Sequence, residues 1–135
     1  IEYAQLHGSE DAAYIEALRK RTALLGKTAK IIKTVKVGST ADLENISEID
    51  CEYLLLDAWS KEGEAAGGNG RTFDWSLEKP FFLAGGLTVD NVQQAVRMTS
   101  PYGIDASSCM ETEDCKDLNK MKAFARAVRV TETNN

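Results

Sequence analysis

The sequence predicts a parallel α/β fold, because apolar runs repeatedly stop at acidic or small residues. The clearest runs cover residues 54–57, 81–86 and 103–108, which end in an aspartate, a glycine pair and a serine pair. Buried parallel strands read as short unbroken apolar runs, since helices cover the sheet. Parallel sheets bind their ligands at the carboxyl ends of the strands. The same runs therefore predict a ligand-binding edge.

The composition is typical of one ordinary globular domain, residues 1–135. The chain is 43% hydrophobic and 27% charged, which is typical of neither a disordered nor a membrane-spanning protein. A net charge of −5 with scattered Lys and Arg argues against binding nucleic acid. Cys51, Cys109 and Cys115 lack the spacing of a metal site, so we expect free thiols in a reducing, cytoplasmic compartment.

Strand and helix signals alternate through the first part of the chain. Residues 3–6 predict a short strand, and Ser9 can cap a helix that buries Ile15 and that Gly26 terminates. Residues 30–37 are rich in β-branched side chains and predict a second strand. These elements give the first βαβ unit.

The alternation continues to the end of the chain. Ser39 or Thr40 caps a short helix before a strand at 53–57, and Pro80 opens the next strand. Thr88 is predicted to cap the next helix, with Val89, Val92 and Val96 facing inward. A fifth strand is predicted at 102–106. Asp117 is predicted to cap the last helix, whose apolar stripe contains Leu118, Met121, Ala125 and Val128.

Five βα units allow two architectures. A five-stranded doubly wound sheet of the flavodoxin type is a natural size match for 135 residues. A (β/α)8 barrel needs roughly 200 residues or more, so this chain would supply only five of its eight units. Chain length favours the doubly wound sheet, whereas the motifs favour the barrel.

Short segments that are weak alone occur in one order across nearly the whole chain. They are residues 5–8, 32–33, 55–57, 67–75, 83–87, 91–92, 104–108, 111–112 and 116–117. Their joint order and spacing resemble the C-terminal portion of the phosphoribosylanthranilate isomerases, the (β/α)8 enzymes of tryptophan biosynthesis. The resemblance implies that the five strands are barrel strands four to eight.

The resemblance also implies that three βα units, with the family's cysteine general base and an arginine that holds the anthranilate carboxylate, are absent from this sequence. The chain begins with Ile1 already inside a strand-like segment. We therefore expect the 135-residue chain alone to be inactive. We also expect its open sheet edges to pair with the missing units, a complementing chain or a second copy.

The family reaction is an Amadori rearrangement without metal or cofactor. It needs an acid that protonates the ribose ring oxygen, a base that removes the C2 proton and a site that binds the phosphate. Asp57 matches the family's general acid, and a carboxyl group at the end of an apolar strand can be partly desolvated. An aspartate after a strand is more often a turn or cap residue, but the segment 67–75 behind it favours catalysis.

The other implied site residues bind the substrate. Gly85 and Gly86, with Ser107 and Ser108 one βα unit later, match the phosphate site; small residues let backbone N–H groups approach an anion closely. Asp105 matches a residue near the anthranilate amine, and His7, the only histidine, lines the rim. Cys109 and Met110 stand where the family has a glycine and a small residue, so the Cys109 side chain could crowd the phosphate.

Two alternatives fit parts of the sequence. Asp57 after a leucine run resembles the phospho-acceptor of a receiver domain, but Ala84 and Ala106 stand where a Ser or Thr and a Lys are needed. A non-catalytic module that binds sugar phosphates or a partner would keep the rim without the general base. An upstream segment with a cysteine after its first strand would distinguish the enzyme from this module.

Overall fold

The structure is a computed structural model that describes residues 1–59, 75 and 77–132. Most of the glycine-rich segment 67–75 lies outside the described residues, so its predicted contribution to the site has no structural description. No helix within the described ranges has the length and apolar character that crossing a membrane requires.

One parallel sheet organises the molecule. Its five strands follow one another in the order of the sequence: β1 (Tyr3–Leu6), β2 (Lys30–Lys36), β3 (Tyr53–Trp59), β4 (Phe81–Gly85) and β5 (Gly103–Ile104). A doubly wound sheet reverses its strand order at a switch point. The flavodoxin-type alternative is therefore wrong, because every described strand lies beside its predecessor, as in a barrel.

Helices or 3-10 turns lie between successive strands of the sheet, except between β3 and β4, where most of the connection is outside the described residues. The α-helices are α1 (Ala12–Leu24), α2 (Val92–Thr99) and α3 (Leu118–Glu132), and short 3-10 turns cover Thr40–Leu43, Ile46–Glu48 and Ser108–Met110. A small antiparallel hairpin of β6 (Glu111–Thr112) and β7 (Cys115–Lys116) precedes α3.

Local hydrogen bonds determine where the helices begin and end. The cap of α1 is Asp11, whose Oδ1 accepts from Tyr14 N at 2.8 Å, so the prediction of Ser9 was wrong by two residues. Gly26 has a φ of +65°, a left-handed conformation that ends α1 as predicted. Asp117 caps α3, because its Oδ1 accepts from Asn119 N at 2.8 Å.

Further details differ from the sequence-based expectation. The N-cap of α2 is Asn91 rather than Thr88. The fifth strand is only two residues long, Gly103–Ile104, rather than 102–106. Val89 lies in the turn before α2 and is 38% exposed.

The face that α3 buries contains Phe124 and Ala127. Of the predicted stripe, Leu118 is 62% exposed, Met121 is 40% exposed and Ala125 is exposed, whereas Val128 packs against the core. The large Phe124 ring takes the inward position where α3 packs against α2, and this rotates the buried stripe.

The pleat gives the sheet two faces with different partners. The first face packs its apolar residues against the helices: Leu6, Ile31, Leu54, Leu56, Phe81 and Leu83 meet Ile15, Val92, Ala95, Phe124 and Ala127 in one core. The second face carries the alternate residues, which the register aligns as Thr34 with Leu55 and Asp57 with Ala84. In a barrel the face opposite the helices is the interior.

Aromatic rings fill the amino-terminal end of the second face. The Tyr53 ring lies 6.1 Å from Tyr3, 5.8 Å from Phe82 and 5.4 Å from Tyr102, measured between centroids. Gly103 allows this packing, because a Cβ there would lie 2.7 Å from the Phe82 ring. On the second face, the amino ends of the strands are thus apolar, whereas the carboxyl ends carry polar residues such as Asp57.

Candidate active site

All seven residues predicted for the site lie at the carboxyl edge of the sheet. His7 follows β1, Asp57 lies near the end of β3, Gly85 and Gly86 end and follow β4, and Asp105, Ser107 and Ser108 follow β5. Parallel strands bring these ends to one edge, and neighbouring strands lie about 4.8 Å apart. Asp57 on β3 is therefore roughly 10 Å across the sheet from the end of β5, with β4 between them.

Asp57 is half-buried on the second face, between Lys36 on β2 and Ala84 on β4. Its backbone is held in the sheet, where its carbonyl oxygen accepts from Val37 N at 3.1 Å. Among the described residues, none forms a hydrogen bond or an ion pair with its carboxylate. Beyond it the register shifts, so that Trp59 pairs with Gly85, and such a bulge re-aims neighbouring side chains. The carboxylate is thus positioned by backbone and left available for a ligand.

The end of β4 turns sharply at two glycines. Gly85 has a φ of +115°, which L side chains rarely adopt, and its carbonyl accepts from Leu87 N at 2.7 Å. Asn91 secures the turn: its Nδ2 donates to the Gly86 carbonyl at 3.0 Å, and its Oδ1 accepts from Thr88 N at 2.8 Å. Within the described part of the chain, the Gly86 N–H donates to no protein acceptor and can meet an anion.

The serine pair lies beside a lysine that the sequence analysis did not select. The ammonium of Lys116, on β7, lies 2.8 Å from Ser107 Oγ and 2.5 Å from Glu111 Oε1. The hydrogen bond from Lys116 holds the pKa of Glu111 below its usual value. Lys116 therefore brings an ammonium to the predicted phosphate site, where the Glu111 carboxylate is its ion-pair partner. Its only signal in the sequence was its place in the segment 116–117.

The Cys109 side chain packs toward the core in the structure. It is half-buried, and burial raises the pKa of its thiol. The 3-10 turn that begins at Ser108 is closed by Met110 N donating to Ser107 O at 3.1 Å. The thiol thus packs inward, while both serines stay exposed at the rim.

Asp105 and His7 are both exposed at the rim. Asp105 is anchored to β4, because its N–H donates to the Leu83 carbonyl at 2.9 Å. His7 is followed by a loop that a buried lysine, Lys33, contacts directly through Gly8. Lys33 has no predicted role, because nothing in a short apolar segment indicates which group a lysine ammonium will contact.

The residues that the structure describes contain no group of three or more His, Cys, Asp or Glu side chains arranged to hold a metal ion.

Comparison with known proteins identifies the family. A family model described as N-(5'-phosphoribosyl)anthranilate (PRA) isomerase matches residues 1–127. The N-(5'-phosphoribosyl)anthranilate isomerase of Acetivibrio thermocellus is 41% identical over 140 residues, covering 96% of this chain and 62% of that protein. This chain therefore spans less than two thirds of that relative's length.

Solved structures agree with this family in fold. The phosphoribosyl anthranilate isomerase of Thermotoga maritima has a TM-score of 0.68 and 30% identity, covering 96% of this chain and 62% of that one. A phosphoribosyl anthranilate isomerase in complex with reduced 1-(o-carboxyphenylamino)-1-deoxyribulose 5-phosphate has a TM-score of 0.67 and 28% identity, covering 96% of this chain and 60% of that one. The resemblance and the barrel class predicted from the motifs are confirmed: the chain belongs to the N-(5'-phosphoribosyl)anthranilate isomerase family.

Proposed function

We propose that this chain carries the acid and the phosphate-binding end of an active site that isomerises N-(5'-phosphoribosyl)anthranilate in tryptophan biosynthesis. The observation that carries the proposal is the half-buried Asp57 carboxylate on the second face, one strand away from the glycine turn of β4. Family membership supplies the reaction class. The product is 1-(2-carboxyphenylamino)-1-deoxyribulose 5-phosphate, the ketose isomer of the substrate.

In this proposal Asp57 is the general acid. Its carboxyl group gives a proton to the ribose ring oxygen while the bond from that oxygen to C1 breaks, and the nitrogen lone pair forms the C1=N bond. A base then takes the C2 proton, and the electrons move to give an enolamine that tautomerises to the aminoketone. We assign the base to the part of the barrel that this chain does not cover, as the family pattern implies.

In this proposal the loops after β4 and β5 form the phosphate-binding site. The N–H of Gly86, a half-buried residue with no described acceptor, and the small side chains of the exposed Ser107 and Ser108 let an anion approach the backbone, and Gly85 supplies the turn. Lys116, 2.8 Å from Ser107 Oγ, supplies a hydrogen-bond donor beside this group, and its charge is paired with that of Glu111. Loops after the last two strands are the usual phosphate sites of barrel enzymes.

The remaining assignments follow from the family pattern and the rim position. His7 and Asp105 line the anthranilate end of the substrate, where Asp105 faces the amine. We propose that residues 1–135 form one part of a single barrel domain that acts in the cytoplasm. Its sheet edges β1 and β5 then pair with the remaining βα units, whether these are supplied by the same chain or by a complementing one.

The test is complementation. The chain is joined to the part of the Acetivibrio thermocellus isomerase that it does not match, and we call this protein the completed enzyme. Turnover of N-(5'-phosphoribosyl)anthranilate is followed by the fluorescence of its anthranilate group. We expect turnover from the completed enzyme and at least about 100-fold less from the 135-residue chain, because a missing general base costs about two to four decades.

The control is the completed enzyme with Asp57→Asn, which should bind the substrate without turning it over. If the unmodified completed enzyme binds the substrate but does not isomerise it, the activity is refuted. That result would favour a non-catalytic sugar-phosphate-binding module.

A further inference from the structure

A buried lysine holds the loop between β1 and α1, and the proposed reaction does not use it. Lys33 lies on β2 and is only 7% exposed. Its ammonium is 2.7 Å from Glu10 Oε2 and 2.7 Å from the Gly8 carbonyl oxygen. The Glu10 carboxylate in turn accepts from Gly8 N, at 3.0 Å from Oε2 and 3.1 Å from Oε1. Both polar groups of the Gly8 backbone are therefore held.

The loop is closely fitted around this arrangement. A Cβ on Gly8 would lie 2.9 Å from Glu10 Oε1, so a larger residue would push the carboxylate away. Asp11 fixes the far end of the loop by capping α1, and β1 fixes the near end. His7 lies between β1 and Gly8, so the peptide plane that follows His7 is set by these contacts.

Stability alone does not account for a charged pair at this place. Removing an ammonium from water costs free energy that one carboxylate and one carbonyl only partly return, and apolar replacements of buried ion pairs are often equally stable. The hydrogen bond from Lys33 is the largest cause that holds the pKa of Glu10 below its usual value, so Glu10 is charged near neutral pH. The pair is better explained by the geometry that it imposes.

We propose that Lys33 and Glu10 are positioning residues of the active site: they hold Gly8 through both its N–H and its carbonyl group and thereby fix His7 at the rim. The inference rests on the proposed function for its effect on catalysis. It also makes a claim about His7 that can be measured without turnover.

The first test compares two lysine variants of the completed enzyme. Lys33→Met keeps the apolar stem and removes the ammonium, whereas the control Lys20→Met removes an exposed ion pair with Glu16 on α1. We expect kcat/KM to fall at least about tenfold in Lys33→Met and to stay within about twofold in Lys20→Met. Glu10→Gln keeps an acceptor for Gly8 N, and we expect its kcat/KM to fall about threefold. This variant provides the test if Lys33→Met does not fold.

The second readout is the NMR signal of the His7 imidazole, identified in the completed enzyme by its disappearance in His7→Gln. We expect this signal to shift and broaden in Lys33→Met and to be unchanged in Lys20→Met. An unchanged signal would overturn the positioning role even if the completed enzyme had no isomerase activity. The failure of this inference is therefore distinguishable from the failure of the proposed function.

A double variant separates positioning from stability. Lys33→Met with Glu10→Gln removes the carboxylate charge that the single variant leaves without its partner. We expect the double variant to recover much of the thermal stability lost in Lys33→Met but not its kcat/KM, because the Gly8 carbonyl still lacks the Lys33 ammonium. Recovery of kcat/KM together with stability would contradict the inference and reduce the pair to a structural role.

Discussion

Substituting Asp57 by asparagine in the completed enzyme tests the central assignment. The amide has the size of the carboxyl group but cannot deliver a proton to the ring oxygen. We expect kcat to fall by about two to four decades and KM to change by less than about threefold. Each decade corresponds to about 1.4 kcal/mol, so the transition state should lose about 3–5 kcal/mol of stabilisation.

The structure indicates that little of this loss will come from unfolding. The bond that holds Asp57 in the sheet uses its main-chain carbonyl, which the substitution keeps, and within the described residues no protein group bonds to its carboxylate. A side chain in such a place changes stability by about 0.5 kcal/mol or less. The melting temperature of the variant should therefore lie within a few degrees of the parent.

The assay is steady-state kinetics with a thermal unfolding curve for every protein. The matched control is Asp50→Asn, which changes an exposed aspartate before the other end of β3, where Arg19 keeps a second partner in Glu52 at 3.1 Å. The control should keep kcat within about twofold. A change in KM alone, or a loss of kcat matched by the control, would refute the role of Asp57.

Three further predictions test the phosphate site, the acid limit of stability and the core. Ser107→Asp in the completed enzyme should raise KM about tenfold or more at nearly constant kcat, because it sets a negative charge against the substrate phosphate; a fall in kcat alone would contradict it. The backbone N–H of Lys120 donates to the Asp117 carboxylate and lowers its pKa in the folded state. The contribution of Asp117 to stability is therefore full above pH 3.8 and is lost as pH falls through the folded pKa. The melting temperature of Asp117→Asn should change less between pH 6 and 3 than that of the parent protein. Leu56→Ala, at a fully buried position, should cost about 3–5 kcal/mol in urea unfolding, whereas Leu24→Ala, at an 80% exposed position, should cost less than about 0.5 kcal/mol.

Local sequence was sufficient to locate the strands and the sheet edge that holds the candidate site residues. An apolar run such as 81–85 predicts a buried parallel strand, because a strand that is covered on both faces needs apolar side chains at successive positions. The glycine pair that ends this run indicates a turn for the same local reason, since only glycine readily adopts the φ of +115° found at Gly85. The motif order then predicted the family, which the comparisons confirm.

The tertiary structure decided what depends on residues distant in the chain. Strand order, which excludes the doubly wound sheet, depends on pairing between residues 21 to 27 positions apart. The ammonium of Lys33 meets Glu10, 23 residues away, and no local pattern in the sequence predicts that partner. A sequence determines which local structures have a low free energy, because conformational propensity and the hydrophobic pattern act within a few residues. Which polar groups meet is settled only when packing brings separate segments together and leaves each buried charge to find a partner.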